Sequence, residues 1–203
     1  IFLRELVSNA VDATTKLQAL ARNGEVKGEI GDTHIEVICE PDENRIIIRD
    51  RGIGMTSEEV LKYLNQIAFS SAGEFLEKYK DNSIIGHFGL GFYSAFMVAD
   101  KVEVATKSWQ EGAEAVRWTC AGDTSFTIET IEKAESGTDV ILYINEENKS
   151  FLDESKLEGL LVKYCKFLPI PIQFGSKTET ISTGEGELQK DETIEVPNII
   201  NET

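Results

Sequence analysis

The chain has 203 residues, of which 41% are hydrophobic and 28% charged, and its formal net charge is −16. A chain of this length buries roughly 70% of its unfolded surface, so it requires neither a metal nor disulfides for stability. The strong negative charge repels phosphate backbones and argues against nucleic acid as a partner. No apolar run approaches the ~20 residues of a membrane span, and acidic residues follow the first residues too soon for a signal peptide. We therefore expect no membrane association and a cytoplasmic protein.

Hydrophobic periodicity and turn signals predict the elements in chain order. These are a helix at 1–22, strands at 33–39 and 45–50, helices at 57–68, 73–80 and 91–98, strands at 101–107, 114–120, 125–131 and 138–144, a helix at 153–167, and a strand at 170–174. Residues 176–203 are polar and acidic and are expected to contain only a hairpin. Strands grouped apart from helices predict an α+β fold, a two-layer sandwich in which helices cover one face of a mostly antiparallel mixed sheet.

The three cysteines, Cys39, Cys120 and Cys165, are far apart in the sequence and lack metal-ligand spacing. Reduced, buried thiols are therefore expected. The opening at Ile1 falls inside a helical pattern and has no capping residue, so residues upstream are expected to be missing.

The first candidate segment lies on the first predicted helix. Glu5, Asn9 and Asp12 are spaced by four and three residues and so share one helix face. A solvated polar stripe is the ordinary interpretation. However, Asn is a mediocre helix former, and its amide oxygen suits a Mg²⁺ that keeps most of its waters. A Glu one turn earlier could polarise an attacking water.

The second segment, residues 50–55, directly follows a predicted strand. The Asp50 carboxylate could accept a hydrogen bond from an exocyclic amine, while Gly52 and Gly54 let the backbone approach a flat ring. Met55 offers a soft apolar contact. A plain glycine turn is an equally good interpretation of this segment alone.

The third segment, residues 86–91, is a G-x-x-G-x-G run that opens a predicted helix. Glycine-rich backbone before a helix favours phosphate, although the spacing fits neither a Rossmann fingerprint nor a Walker A loop. A mobile hinge is the alternative. A fourth element is Gly137-Thr138, whose hydroxyl could bond a ring nitrogen or a water.

Together and in this order, these elements resemble the superfamily of gyrase, heat-shock chaperone, histidine kinase and mismatch-repair ATPases. Residues 1–10 and 85–96 resemble the N-terminal domain of the ninety-kilodalton heat-shock chaperones, above all the bacterial form. The resemblance extends to about residue 175 and implies the Bergerat-type nucleotide-binding fold. It also implies ATP or ADP with Mg²⁺ as ligands.

The resemblance assigns roles to individual residues. Glu5 would orient the hydrolytic water, and Asn9 would bind the nucleotide's Mg²⁺. Asp50 would hold the adenine amino group, and residues 57–85 would form a lid over ATP. The other nucleotide-binding residues that the resemblance implies are Asp12, Ala13, Gly54, Met55, Gly89, Gly91, Phe92 and Thr138.

Two departures from the family pattern concern the lid. Asn65-Gln66 stand where a Gly-Thr pair is usual, and Phe69 replaces a common Lys. A contact from that Lys is absent, so no lid residue is carried over as a ligand.

The resemblance also implies that this domain is part of a longer protein. An exchanged strand would precede Ile1, and a middle domain supplying an arginine would follow Thr203. Residues 176–203 would then be a hairpin and the start of a linker at the end of a single ATPase domain. We expect this monomeric fragment to bind nucleotide well and hydrolyse it slowly, while the whole chaperone dimerises and remodels client proteins.

Two other hypotheses remain open. The first is a topoisomerase or mismatch-repair ATPase, which the acidic charge disfavours and DNA-stimulated turnover would support. The second is a binding module that kept the fold and lost the chemistry, which the presence of Glu5, Asn9 and Asp50 disfavours.

Overall fold

The computed structural model describes residues 1–69, 88–123, 125–184 and 190–201. Within them, the α-helices are α1 Phe2–Arg22, α2 Ser57–Phe69, α3 Phe88–Tyr93 and α4 Glu154–Cys165. Short 3-10 helices span Pro41–Glu43, Ser94–Met97 and Glu146–Leu152. The strands are β1 Ile35–Glu40, β2 Arg45–Asp50, β3 Ala99–Lys107, β4 Ala115–Cys120, β5 Phe126–Ile131, β6 Gly137–Ile144, β7 Ile172–Thr183 and β8 Lys190–Ile199. The helix predicted at 73–80 lies outside the described residues.

The eight strands form one sheet in the order β5-β4-β3-β6-β2-β1-β7-β8. Neighbouring strands run antiparallel, except that β1 and β7 are parallel. The parallel ladder ends where Val37 stands opposite Phe174. The prediction of an α+β fold with a mostly antiparallel mixed sheet is confirmed.

The helices cover one face of this sheet. Ile48, Val140 and Val104 stand opposite one another on β2, β6 and β3, and Trp118 of β4 continues that row. The buried face of α1 joins the same core through Phe2, Leu3, Leu6, Val7, Ala10 and Val11. Burying apolar surface at roughly 25 cal/mol per Å² is the main force that holds this helix on the sheet.

The opposite face of the sheet is charged. Its side chains form ion pairs between strands, including Arg49 with Asp139 at 3.1 Å and Arg51 with Glu36 at 2.6 Å. The alternation of inward and outward residues therefore separates the core face from the face that carries these ion pairs, on which Ile47 and Ile141 are also buried. This polarity puts α1 against the sheet and leaves its polar stripe at the edge of the core.

Some boundaries differ from the sequence prediction. The strand predicted to end at residue 174 continues as β7 to Thr183 and forms a hairpin with β8. Gly175, with φ of 63°, lies within the irregularity between Gln173 and Ser176 and lets the strand bend and continue. The predicted helix at 153–167 begins after Asp153, whose carboxylate accepts a hydrogen bond from the Lys156 N–H at 2.8 Å.

Candidate functional site

A polar row lies at the edge of the core face. Asp50 of β2 stands opposite Thr138 of β6, and Thr138 stands opposite Thr106 of β3. Directly opposite residues point to the same side of a sheet, so these three side chains continue the apolar rows of the core. All three are buried. Three strands thus place one carboxyl and two hydroxyl groups together.

Asp50 is the acidic member of this row. Its side chain is only 5% exposed, and its Oδ1 accepts a hydrogen bond from the Gly52 N–H at 2.8 Å. Burial raises the pKa of Asp50 to about 7, although backbone hydrogen bonds from Gly52 and Thr138 pull it down. The group can therefore bind or release a proton near neutral pH, and its ionised form needs a hydrogen-bond donor.

The turn after Asp50 is held between α1 and β3 by close backbone approaches. A Cβ at Gly52 would lie 2.5 Å from the Ala13 carbonyl carbon, and the Ile53 N–H donates to the Ala13 carbonyl at 3.2 Å. Gly54 has φ of 58°, and a Cβ there would lie 1.8 Å from the Lys107 carbonyl oxygen. Glycine is thus required at both positions, and Ala13 is brought beside the turn.

Thr106 is a further candidate site residue, which no sequence motif indicated. Its Oγ1 accepts a hydrogen bond from the Met55 N–H at 3.0 Å and lies 2.9 Å from the Thr138 Oγ1. The available signal was the alternation Val102, Val104, Thr106, in which an inward-facing position becomes polar at the end of a strand. That signal becomes meaningful only when the neighbouring strands are known.

The other end of the site lies nearer the start of α1. A Cβ at Gly91 of α3 would lie 3.1 Å from the Glu5 Oε2 and 3.5 Å from the Asn9 Nδ2. The Glu5 Oε1 accepts a hydrogen bond from the Arg4 Nη2 at 2.8 Å. The structure therefore brings together Glu5, Asn9 and the glycine-rich helix, as the sequence predicted.

The Asn9 amide nitrogen is buried, and it has no hydrogen-bond partner among the described residues. A buried polar group without a partner costs roughly 1–3 kcal/mol. A hydrogen-bond acceptor beside this nitrogen, such as a phosphate oxygen, would remove that cost.

For the remaining predicted site residues, the structure shows fewer contacts with the groups around Asp50 and Glu5. Asp12 is exposed, and no hydrogen bond or ion pair in the described part of the chain ties it to the others. The Phe92 ring is buried in the core, edge-on to Trp118 with centroids 6.0 Å apart. Gly89 lies in α3. Asn65, Gln66 and Phe69 fall within α2, and the lid residues 70–85 lie outside the described residues.

The described residues were compared with the needs of a metal ion. No group of three or more His, Cys, Asp or Glu that could hold one occurs in the part of the chain described here. An Asn amide oxygen together with phosphate oxygens and waters is a coordination set that Mg²⁺ accepts. Asn9 fits that requirement.

Among the described residues, no helix is long and apolar enough to cross a membrane.

A buried acid before the turn that packs against the middle of α1, and a carboxylate beside a glycine-rich helix near its start, fit a class of nucleotide-hydrolysing proteins. The chain belongs to this class, the histidine kinase-, DNA gyrase B- and HSP90-like ATPases, whose family model matches residues 2–148. Nucleotide binding and ATPase activity are the properties of this family.

Individual relatives are chaperones. Chaperone protein HtpG of Bacteroides fragilis is 58% identical over 205 residues, covering 100% of this chain and 29% of the relative. The protein of the same name from Porphyromonas gingivalis is 60% identical over 181 residues, covering 88% of the chain and 26% of the relative. That from Idiomarina loihiensis is 45% identical, covering 85% and 28%. The chain thus spans less than a third of the length of these relatives.

Proposed function

We propose that residues 1–203 form a single ATP-binding and ATP-hydrolysing domain of an HtpG-type molecular chaperone. The observation that carries the proposal is the pair of clusters on α1, one around Ala13 and Asp50 and one around Glu5 and Gly91. Glu5 and Ala13 are eight residues apart, which is about 12 Å along a helix. One extended nucleotide spans such a distance from its base to its terminal phosphate.

The Asp50 end would hold the adenine. The ionised carboxylate would accept a hydrogen bond from the exocyclic amine, and the Thr138 hydroxyl would bond a ring nitrogen directly or through water. Gly54 and Met55 would lie against the ring, with Ala13 at its side. The fixed turn between Asp50 and Met55 supports this assignment because it is already held in place by hydrogen bonds to Ala13 and Thr106.

The Glu5 end would hold the phosphates. Gly89 and Gly91 would approach them with backbone N–H groups, and Asn9 would contact the Mg²⁺ that accompanies the nucleotide. Bound Mg²⁺ neutralises charge that develops on the phosphates. The assignments of Asp12 and Phe92 to the nucleotide depend on the family resemblance alone.

Glu5 would act as the base that orients the attacking water. Its Oε2 faces Gly91, while its Oε1 is held by Arg4. The ion pair fixes the carboxylate and leaves one oxygen to accept a proton from water. Residues 57–85 would form a lid whose closure over ATP excludes bulk water. In the whole protein, this cycle would drive dimer closure and the remodelling of client proteins in the cytoplasm.

Calorimetric titration with ADP and Mg²⁺, together with an ATP hydrolysis assay, tests the proposal. Asp50→Asn keeps an acceptor for the Gly52 N–H but places an NH₂ group near the adenine amine, so affinity should fall at least tenfold. Glu5→Ala should keep affinity within about threefold and lower hydrolysis by about 100-fold. Asp42→Asn and Glu25→Ala, at exposed positions, are the matched controls. Normal binding by Asp50→Asn would refute the adenine assignment.

A further inference from the structure

The outer side of α4 carries lysines and exposed apolar side chains. Leu157, Leu161 and Cys165 pack into the core, and the opposite side of the helix faces solvent. From residue 156 onward, the exposed residues at helical spacing on that side, and in the turn after the helix, are Lys156, Gly159, Val162, Lys163, Lys166 and Phe167. We call these six residues the α4 face. It contains no acidic residue, although the whole chain has a net charge of −16.

The acidic residues of α4 lie on another side of the helix. Glu154 and Glu158, four residues apart, both line the cleft between α4 and the strands β1, β7 and β8. The Glu158 Oε1 accepts a hydrogen bond from the Asn198 Nδ2 at 2.8 Å. The helix therefore separates its charges, with carboxylates toward the strands and ammonium groups toward solvent.

Two lysines of the α4 face have no carboxylate partner among the described residues. Lys163 and Lys166 take part in no ion pair there. Their ammonium groups lie over the exposed rings of Tyr164 and Phe167, at 5.1 and 5.7 Å from the ring centroids. Cations in the last turn of a helix interact favourably with its dipole. That effect accounts for the lysines, but it does not account for the apolar residues beside them.

Apolar surface is exposed between and beyond these lysines. Phe167 is 88% exposed and Val162 is 42% exposed. Gly159 lies one turn before Val162, and a Cβ there would meet no atom within 4 Å. Glycine inside a helix costs roughly 0.5–1 kcal/mol relative to alanine, and no contact in the described chain requires it here. A partner that approaches the helix closely would explain both the glycine and the exposed apolar side chains.

We propose that the α4 face binds an acidic segment of another protein that also carries apolar side chains. The carboxylates of the segment would pair with Lys163 and Lys166. Its apolar side chains would pack on Val162 and Phe167, and Gly159 would let it come close to the helix backbone.

The distribution of charge favours a narrow segment over a broad anionic surface. Charges more than about 8–10 Å away are screened at physiological salt, so a narrow segment interacts mainly with the lysines of the α4 face. An anionic membrane or a second copy of this chain would also bring negative charge against the acidic remainder of the protein. Either of these partners would therefore be repelled where the segment is not.

The test measures, by fluorescence anisotropy, the binding of the 203-residue protein to a labelled peptide of glutamate, alanine and leucine, with leucine at helical spacing. Wild type should bind this peptide, and raising NaCl from about 0.05 to about 0.5 M should weaken binding roughly threefold or more. Peptides with lysine in place of glutamate, or with alanine in place of leucine, should bind about tenfold more weakly.

Substitutions locate the binding on the α4 face. Lys163→Gln with Lys166→Gln should weaken binding about three- to tenfold, as expected for two exposed ion pairs. Lys16→Gln with Lys190→Gln removes the same charge from exposed positions elsewhere and should leave the affinity unchanged. Phe167→Ser should weaken binding about tenfold through lost apolar contact.

Gly159→Gln separates binding from folding. The better helix former should raise the stability of the protein, whereas the longer side chain should hold the peptide away and weaken binding roughly threefold. Ile181→Ser, at a position that is also 42% exposed but lies on β7, is the control for Phe167→Ser and should not change the affinity.

The inference is independent of the proposed function, because the α4 face contains no residue assigned to the nucleotide. All of these variants should bind ADP as the wild type does, and a wild type that binds the peptide but not ADP would refute the proposed function alone. Equal peptide binding by the two double lysine variants would overturn the inference. So would tighter binding to phosphatidylglycerol vesicles than to the peptide, or dimerisation in sedimentation experiments that the substitutions at Lys163 and Lys166 abolish.

Discussion

At the scale of single residues, the buried carboxyl of Asp50 decides how the site responds to pH. Burial raises its pKa to about 7, so the empty site holds a mixture of acid and carboxylate near neutrality. An amine that donates a hydrogen bond favours the carboxylate. Nucleotide binding should therefore release a proton whenever the pH lies below this pKa.

The expected result is an affinity for ADP that rises as the pH increases from about 6 to 7 and becomes constant above about 8. The measurement is calorimetry across that range, corrected for the ionisation of ADP itself. Glu5→Ala retains Asp50 and should give the same profile. A profile that stays flat after the correction would show that Asp50 does not change its charge on binding.

The raised pKa of Asp50 has the opposite effect on folding, because it lowers stability as the pH rises. The unfolded chain loses this proton near pH 3.9, whereas the folded chain keeps it to about pH 7. The contribution of Asp50 to the free energy of unfolding of the nucleotide-free protein therefore falls as the pH rises between these values. On the proposed function, one buried acid would both destabilise the empty site and strengthen nucleotide binding as the pH rises.

At the scale of elements, the site depends on the close approach of α1 to the turn after β2. Gly52→Ala places a Cβ 2.5 Å from the Ala13 carbonyl carbon, and neither backbone can move without disturbing the core. We expect a loss of about 1–3 kcal/mol in the free energy of unfolding, measured by urea denaturation, and a weaker affinity for ADP.

Gly159→Ala is the matched control for this change. A Cβ at Gly159 in α4 would meet no atom within 4 Å, so the same substitution should raise stability by about 0.5–1 kcal/mol through helix propensity. Equal effects of the two substitutions would contradict the packing of α1 against the turn.

Much of the element pattern could be predicted from the sequence because each element carries its own periodicity. The helical period of the apolar residues predicted α1, and the run of β-branched residues predicted β2, both with ends within two residues of those observed. The continuation of β7 through Gly175 could not be predicted, since a glycine ends some strands and bends others, and only the pairing with β8 distinguishes the two.

The site was predictable to the degree that its residues lie in local motifs. Glu5 and Asn9 share a helix face, and Asp50 and Met55 share a turn, so short segments indicated them. Thr106 is 51 residues from its partner Met55 and 32 from Thr138. Its role arises from the register of three strands, which no local pattern contains.

At the scale of the whole molecule, the sheet order determines where the site lies. The strands β2, β6 and β3 are adjacent in the sheet although β6 comes last of the three in the chain, so Asp50, Thr138 and Thr106 meet. The helix α1 covers this face and extends from that polar row to the glycine-rich α3. Segments near residues 50 and 90 thus approach α1, and residue 138 lies beside residue 50.

The central claim is that these segments bind one nucleotide together. It is tested most directly by following the backbone amide resonances of the wild-type protein during titration with ADP and Mg²⁺. We predict shifts in two groups at once and with one affinity, the base end at Gly52, Met55 and Thr138 and the phosphate end at Asn9 and Gly91. Shifts in only one group, or at residues away from α1 and the row of Asp50, would contradict the account.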